Sequence, residues 1–174
     1  MDITLRLAVT DACIFIDLLD LDLTSSFFGL DLEVHTTREV MDELFSGQQE
    51  ILKAYQTVGK LTVHNLASDD LLAIQATNYP KALSQQDKSV IHLANQIDAV
   101  ILSSDGAVRK YAQRAGLEIH GIFWIFDQLV DQQLLDKQVA ITKLNNLMDG
   151  NLMYRNNPQL QKEANLRIRK WNDD

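Results

Sequence analysis

The chain has 174 residues, of which 46 % are hydrophobic and 23 % charged, so it suits one compact globular domain and excludes a disordered or low-complexity protein. Its formal net charge of −8 argues against a protein that coats nucleic acid by bulk electrostatics, but not against a nuclease with a separate basic surface. Its one cysteine, Cys13, excludes an internal disulfide framework and a cysteine-based zinc cluster. With no signal-peptide pattern and no run of the roughly 18 apolar residues that a spanning helix needs, we expect a cytoplasmic protein with no membrane partner.

Strands and helices alternate along the chain. Alternating or fully apolar segments predict strands at residues 3–10, 32–35, 60–66, 99–102 and 117–120. Helices are predicted at 12–21, from Thr36 to a stop at Ser46-Gly47, at 48–58, from Ser68 to Pro80, at 84–97, at 104–115 and from Ile122 onward. The order predicts right-handed βαβ units and a three-layer α/β/α fold with a central, mostly parallel sheet of four to five strands and extra C-terminal helices.

Four acids fall where such a sheet would place a site. Ligands of an open parallel sheet bind outside the carboxyl ends of the strands. Asp11 follows the first predicted strand, and Ser103 and Asp105 follow the strand at 99–102. Glu43 lies in the helix after the second strand, and Asp87 in the first turn of the helix that begins at Ser84. These acids come from separate segments that the topology would bring together.

Helix capping is the alternative explanation for most of these acids. Asp11 would cap the helix that starts at Ala12, because aspartate is among the best N-caps. Ser84–Asp87 and Thr36–Glu39 both match the capping-box pattern, and we assign Glu39 to that role. Ser103 or Ser104 would cap the next helix, with Asp105 in its first turn. Glu43 is not at a helix start, so it has the weakest structural explanation, and only the set of acids favours a site.

The segments around these acids resemble those of a PIN domain, the ribonuclease fold of VapC-type toxins. The resemblance rests on four motifs. The first is an apolar strand followed by an aspartate and a small-residue helix, and the second is an apolar pair followed, one residue later, by Glu-Leu. The third is Leu-Ser-x-x-Asp before an apolar helix, and the fourth is an apolar strand followed by Ser-x-Asp. These motifs are VTDACIFIDLL, VMDEL, LSQQDKSVIHLA and VILSSDGAVRKYA, and they are followed by GLEIHGIFWIFDQLV. The resemblance covers roughly residues 3–133.

The resemblance implies an endoribonuclease that depends on Mg²⁺ or Mn²⁺. Both ions take oxygen ligands and keep several waters, and a bound ion can activate water and neutralise charge on the transition state. By similarity, Asp11 and Asp105 would be the most direct metal ligands. Glu43 and Asp87 would bind through water or a second ion, and Ser103 would supply a hydroxyl.

The same resemblance implies RNA as substrate, a homodimer and, for a toxin of a toxin–antitoxin pair, a small antitoxin protein as partner. We assign residues 1–150 to the PIN-like nuclease domain and 151–174 to a C-terminal helical appendage. This last segment is more polar and carries several cations, namely Arg155, Lys162, Arg167, Arg169 and Lys170.

Two other functions compete with the nuclease. Asp20-Leu-Asp22-Leu-Thr24 matches the nucleophile motif of haloacid dehalogenase phosphatases, in which Asp22 would be phosphorylated. That nucleophile must directly follow a buried strand, so we expect Asp20 and Asp22 to be solvated instead. The other alternative is a catalytically silent PIN-like module that binds RNA or protein. The histidines lack metal-ligand spacing and are interpreted as structural: His35, His64, His92 and His120.

Overall fold

The computed structural model describes residues 5–173, so the predicted first strand from Ile3 is described only from Leu5 onward. The described chain forms two compact units. The first contains residues 5–16 and Asp31–Gly121, and the second contains Asp17–Leu30 and residues 122–173. The predicted boundary near residue 150 stays a prediction.

Five parallel strands form the sheet of the first unit in the described residues. They are β1 (Arg6–Thr10), β2 (Leu32–Thr37), β3 (Leu61–His64), β4 (Val100–Leu102) and β5 (Ile119–His120). Consecutive residues of β4, Val100, Ile101 and Leu102, are all buried although they point to opposite faces, so both faces of the sheet are covered. The predicted three-layer α/β/α architecture is confirmed.

Eleven helices lie between and after the strands within residues 5–173. They are α1 (Ala12–Asp20), α2 (Thr24–Phe27), α3 (Arg38–Glu43), α4 (Ser46–Thr57), α5 (Ser68–Ala76), α6 (Gln85–Ile97), α7 (Gly106–Arg114), α8 (Ile122–Asp131), α9 (Lys137–Gly150), α10 (Leu152–Arg155) and α11 (Pro158–Asp173). The last three are the extra C-terminal helices that the sequence predicts.

The strand order is β3-β2-β1-β4-β5, so the chain builds outward from β1 to β3 and then returns to the other side of β1. The order therefore reverses between β1 and β4, and this is where an open α/β sheet leaves a crevice for ligands. Thr10 pairs with Leu102, and the Asp11 amide donates to the Leu102 carbonyl at 3.1 Å. The register thus places the residues after these two strands side by side.

The predicted helix start at Thr36 is wrong. Strand β2 continues through Thr37, as the β-branched side chains of both threonines favour. The Thr36 hydroxyl donates to the Thr10 carbonyl at 2.7 Å, while Thr37 caps α3 by accepting from the Val40 amide at 3.2 Å. The capping box predicted for Thr36–Glu39 is therefore absent. Within residues 5–173, Oε2 of Glu39 is buried and accepts no hydrogen bond.

Two predicted helix stops are also wrong. Gly47 does not end the helix after β2, because α3 ends at Glu43 and Gly47 lies in the first turn of α4. Pro80 does not end α5, which stops at Ala76. The Thr77 amide still donates to the Ala73 and Ile74 carbonyls, so the helix ends through local backbone bonds before the proline is reached.

The second unit has an aromatic and ionic core of its own. The rings of Phe126 on α8 and Trp171 on α11 lie 6.4 Å apart between centroids, and Trp171 is buried. Arg167 of α11 forms a two-pronged bond to the Asp127 carboxylate, with its shortest contact at 2.8 Å, and stacks over the Phe123 ring at 5.2 Å. One face of α11 is thereby fixed to α8.

Candidate active site

The predicted acids line one cavity of about 230 Å³ in the first unit. Asp11, Glu43, Asp87 and Asp105 all contribute to its wall, together with Cys13 and Gln86 among others. Asp11 follows β1, Asp105 precedes α7, Asp87 lies in the first turn of α6 and Glu43 ends α3. We call this space the acidic cavity. The structure brings the acids together, while their catalytic roles stay a prediction.

Asp11 is the most enclosed acid of the acidic cavity. Its Oδ1 accepts from the Ile14 amide at 3.2 Å, so it caps α1 as predicted, and also from the Cys13 thiol at 2.9 Å. Its Oδ2 accepts from the Ser103 hydroxyl. Burial raises the pKa of Asp11 to about 6, the hydrogen bonds oppose this rise, and the charge of Asp87 adds to it. The raised pKa means that burial disfavours the charged carboxylate more than its hydrogen bonds, including the capping bond, favour it.

Ser103 supports Asp11 from beneath the acidic cavity. It is completely buried, and its hydroxyl both donates to Asp11 and accepts from the Asp105 amide at 3.1 Å. One hydroxyl thus ties together the chain segments that follow β1 and β4. Ser103 therefore holds Asp11 in position, and it is not among the residues that line the cavity.

Asp105 is the N-cap of α7 and Asp87 belongs to the capping box of α6, and both also line the acidic cavity. Oδ1 of Asp105 accepts from the Ala107 and Val108 amides at 2.9 and 3.0 Å. The prediction that Ser103 or Ser104 caps this helix is therefore wrong, since Asp105 is the cap itself. The predicted capping box of Ser84 and Asp87 is confirmed, with bonds of 2.8 and 3.1 Å.

Each of these caps uses only one carboxylate oxygen. In residues 5–173, no hydrogen bond reaches Oδ2 of Asp105, Oδ1 of Asp87 or either oxygen of Glu43. Burial, followed by the charge of Asp87, raises the pKa of Glu43. Like charges thus face each other around the acidic cavity, and several carboxylate oxygens are left available to a ligand.

The donor set fits a divalent cation that prefers oxygen. No lysine or arginine lines the acidic cavity to balance its carboxylates. Across the described chain, no three histidine, cysteine, aspartate or glutamate side chains are close enough to enclose an ion by themselves. Mg²⁺ suits such an open site, because it keeps several waters and takes one or two carboxylates together with substrate phosphates. Zinc prefers a closed set of nitrogen and sulfur ligands.

Cys13 is a cavity residue that the sequence did not reveal as one. Its thiol donates to Asp11 and accepts a weak bond from the Ser104 amide at 3.4 Å. Burial and the charge of Asp11 raise the pKa of this thiol well above its usual range, so it stays protonated and remains a donor. Its position in the first turn of α1, two residues after Asp11, is the sequence feature that could have indicated a place beside the predicted site.

The phosphatase alternative lacks the placement that it needs. Asp22 lies in the turn after helix α1, with a φ of 54°, and not at the end of a strand. Asp20 and Asp22 are both exposed, as predicted. A buried strand end is what positions the nucleophile of that family, so this alternative is wrong.

The histidines make pairwise contacts and do not line the acidic cavity. His35 contacts His64 at 2.8 Å and Glu33 at 3.0 Å, and His92 contacts Asp70 at 3.0 Å. His120 contacts Glu118 at 2.8 Å. Their structural interpretation agrees with these contacts.

Comparison with known proteins supports the same family. A family model described as "PIN domain" matches residues 7–167. A curated relative, "Endoribonuclease Nob1" of Pyrococcus abyssi (strain GE5 / Orsay), is 34 % identical over 107 residues, which are 58 % of this chain. The match covers 66 % of that relative, just under two thirds of its length. In the described part of the chain no helix is both long and apolar enough to cross a membrane. By its fold and by the extent of the family match, this chain belongs to the PIN-domain family.

Proposed function

We propose that the chain is an endoribonuclease that hydrolyses RNA phosphodiesters in the acidic cavity with the help of Mg²⁺ or Mn²⁺. The observation that carries the proposal is the convergence of four carboxylates from separate segments on one cavity at the reversal of strand order. The PIN fold and the similarity to a protein named an endoribonuclease support it.

Asp11, Asp105, Asp87 and Glu43 would hold the cation. Without it, their charges would repel a phosphodiester, which is the physical reason to expect metal dependence. When bound, the ion would acidify a water and stabilise charge on the transferring phosphoryl group. Ser103 and Cys13 would keep the Asp11 carboxylate oriented through their hydrogen bonds. Gln86 lines the cavity and would offer an amide donor to the substrate.

A catalytically silent binding module is the alternative to test. The structural roles of Asp87 and Asp105 allow charge to be separated from structure. At the N-cap position of Asp105, asparagine serves about as well as aspartate, and at Asp87 the side-chain oxygen of asparagine can still accept from the Ser84 amide. Asp87→Asn and Asp105→Asn should therefore remain folded and lose most cleavage of a labelled single-stranded RNA in Mg²⁺ or Mn²⁺. Ser84→Ala, which removes a cap hydroxyl and leaves the Asp87 charge, should still cleave.

The readout is separation of the RNA products by electrophoresis, with protein stripped of metal by a chelator as the starting point. Wild-type protein that binds RNA and cleaves none of it with either ion would support the silent module. Cleavage that persists in both Asp11→Asn and Asp105→Asn would show that another site is responsible.

The toxin role, the small antitoxin partner, the homodimer and the cytoplasmic location rest on the resemblance to VapC-type toxins and stay predictions. Light scattering after size-exclusion chromatography tests the homodimer. A neighbouring short open reading frame that encodes a DNA-binding protein would support an antitoxin.

A further inference from the structure

The second unit carries a groove on the exposed side of α10 and α11, with a volume of about 610 Å³. We call it the basic groove. Its wall includes the cations Arg155, Lys162 and Arg169 and the amides Asn156, Gln161 and Asn165. All three cations are exposed, and no acid lines the groove. In a chain with a net charge of −8, such a concentration of cations is a local exception.

The cations of helix α11 lie on two faces, and within the described residues the one on the inner face forms ion pairs whereas those on the outer face do not. On the inner face, Ala164 and Trp171 are buried, and Arg167 is held by Asp127 and Glu163. On the outer face, Lys162 and Arg169 follow each other at a spacing of seven residues, which is about two turns and roughly 10 Å along the axis. The Arg167 cation therefore contributes to packing, and the cations of the groove do not.

No salt bridge of residues 5–173 involves Arg155, Lys162 or Arg169. The cations are therefore free to meet an anionic ligand, and the side-chain amides of Asn156 and Asn165 supply additional hydrogen-bond donors. The Gln161 amide already donates to the Arg155 carbonyl at 2.9 Å. The groove is complementary to a chain of phosphates in both charge and hydrogen bonding.

We propose that the basic groove binds the phosphate backbone of single-stranded RNA outside the acidic cavity. The identity of this ligand rests on the proposed ribonuclease function. The acidic cavity has no lysine or arginine in its wall, so it cannot supply the cations that release counterions from an RNA backbone. The basic groove supplies them, with one phosphate contact expected for each of its three cations.

The test measures RNA binding as a function of salt in an Asp11→Asn background, which prevents cleavage. The probe is a fluorescein-labelled single-stranded RNA of twelve nucleotides, followed by anisotropy. The groove variant is the triple substitution R155Q, K162Q and R169Q. The matched control is K53Q, K60Q and R114Q, which removes the same charge from exposed positions of the first unit.

The groove variant should weaken RNA binding on the order of tenfold and reduce the slope of log K against log salt by about 2, since each phosphate contact contributes about 0.7 for a single strand. The control triple should change neither value appreciably. Equal effects of the two triples, or no effect of the groove triple, would overturn the proposal. Equally tight competition by a polyglutamate peptide of the same length would also overturn it, in favour of an acidic protein partner.

Failure of the groove and failure of the ribonuclease function give different results. With Asp11 intact, the groove triple should keep the cleavage rate of a dinucleotide, which would occupy only the acidic cavity, and lose kcat/KM for the long RNA. Wild-type protein that cleaves no RNA but loses binding in the groove triple would refute the nuclease and leave the groove standing. Normal cleavage of both substrates by the groove triple would refute the groove alone.

Discussion

Asp11 and Asp17 are two buried aspartates six positions apart, at the cap and within helix α1. They are 6 % and 7 % exposed, and burial raises the pKa of each to about 6. Their neighbours differ. Asp11 lines the acidic cavity and feels the charge of Asp87, whereas Asp17 is absent from that cavity's wall and accepts a hydrogen bond from the Tyr154 hydroxyl at 2.8 Å. A raised carboxyl pKa therefore does not identify a site unless other acids surround the same open space.

The largest expected effect separates these two aspartates by activity. Asp11→Asn should lower RNA cleavage about a thousandfold, because Asp11 is the proposed direct cation ligand and its loss would remove several kcal/mol of transition-state stabilisation. Asp17→Asn should cleave at the wild-type rate. Initial rates on one labelled RNA, measured at saturating Mg²⁺ and at matched protein concentration, check both expectations. Equal losses in the two variants would mean that burial, and not the acidic cavity, explains the effect of Asp11.

The next effect concerns stability and pH at Asp17. Burial raises the pKa of Asp17 from its ordinary value of 3.8 to about 6, so the folded state binds more protons than the unfolded state between those values. The contribution of Asp17 to stability is thus fully present below about pH 4 and is lost as the pH rises through 6. As the pH rises from 4 to 7, the unfolding free energy of Asp17→Asn should increase relative to that of wild type by up to about 3 kcal/mol.

Urea unfolding in the presence of a chelator measures this difference across the pH range. Asp22→Asn is the matched control, because Asp22 is exposed and asparagine tolerates its positive φ. A stability difference between Asp17→Asn and wild type that stays constant from pH 4 to pH 7 would contradict the raised pKa.

A smaller effect is expected at Ser103, the residue that gives Asp11 its orientation. Ser103→Ala should weaken the affinity for Mn²⁺ by about tenfold to a hundredfold, as substitutions of groups that orient metal ligands do. The Mn²⁺ affinity from calorimetry, set beside the melting temperature, distinguishes positioning from a loss of fold. Unchanged affinity in a destabilised variant would show that Ser103 serves the fold alone.

The smallest effect tests the two roles of Asp87, which belongs to the capping box of α6 and also lines the acidic cavity. Ser84→Ala should lower the unfolding free energy by about 1 kcal/mol, the usual loss when an N-cap is removed, and leave cleavage intact. Asp87→Asn should lose less stability and more activity. The reverse ranking, seen in urea unfolding and cleavage rates, would assign Asp87 to the cap alone.

Much of the acidic cavity could be predicted from the sequence. Asp11 follows β1 directly and Asp105 lies three residues after β4, so the predicted strands already put both acids near strand ends. The sequence did not specify that these two strands are neighbours, which is a property of the observed strand order. The boundary at Thr36 and Thr37 could not be predicted, because threonine suits both a strand end and a helix cap. The choice was made by a tertiary contact, the bond from the Thr36 hydroxyl to the Thr10 carbonyl of β1.

The uses of the C-terminal cations were also hidden in the sequence. Arg155, Arg167 and Arg169 are equivalent in the sequence, but of the three only Arg167 forms an ion pair with Asp127, forty positions earlier in the chain. Which face of α11 packs inward is decided by the burial of Ala164 and Trp171. Trp171 follows several cations in the sequence, a setting typical of an exposed helix, and only the packing of the second unit shows that its ring is buried.

The most direct test of the account is the binding of Mn²⁺ to chelator-treated protein, measured by isothermal titration calorimetry at pH 7.5. The account predicts that wild type and Asp17→Asn bind the ion with the same affinity, and that Asp11→Asn loses at least tenfold. Mn²⁺ binding by Asp11→Asn with wild-type affinity would contradict the assignment of the acidic cavity as the metal site.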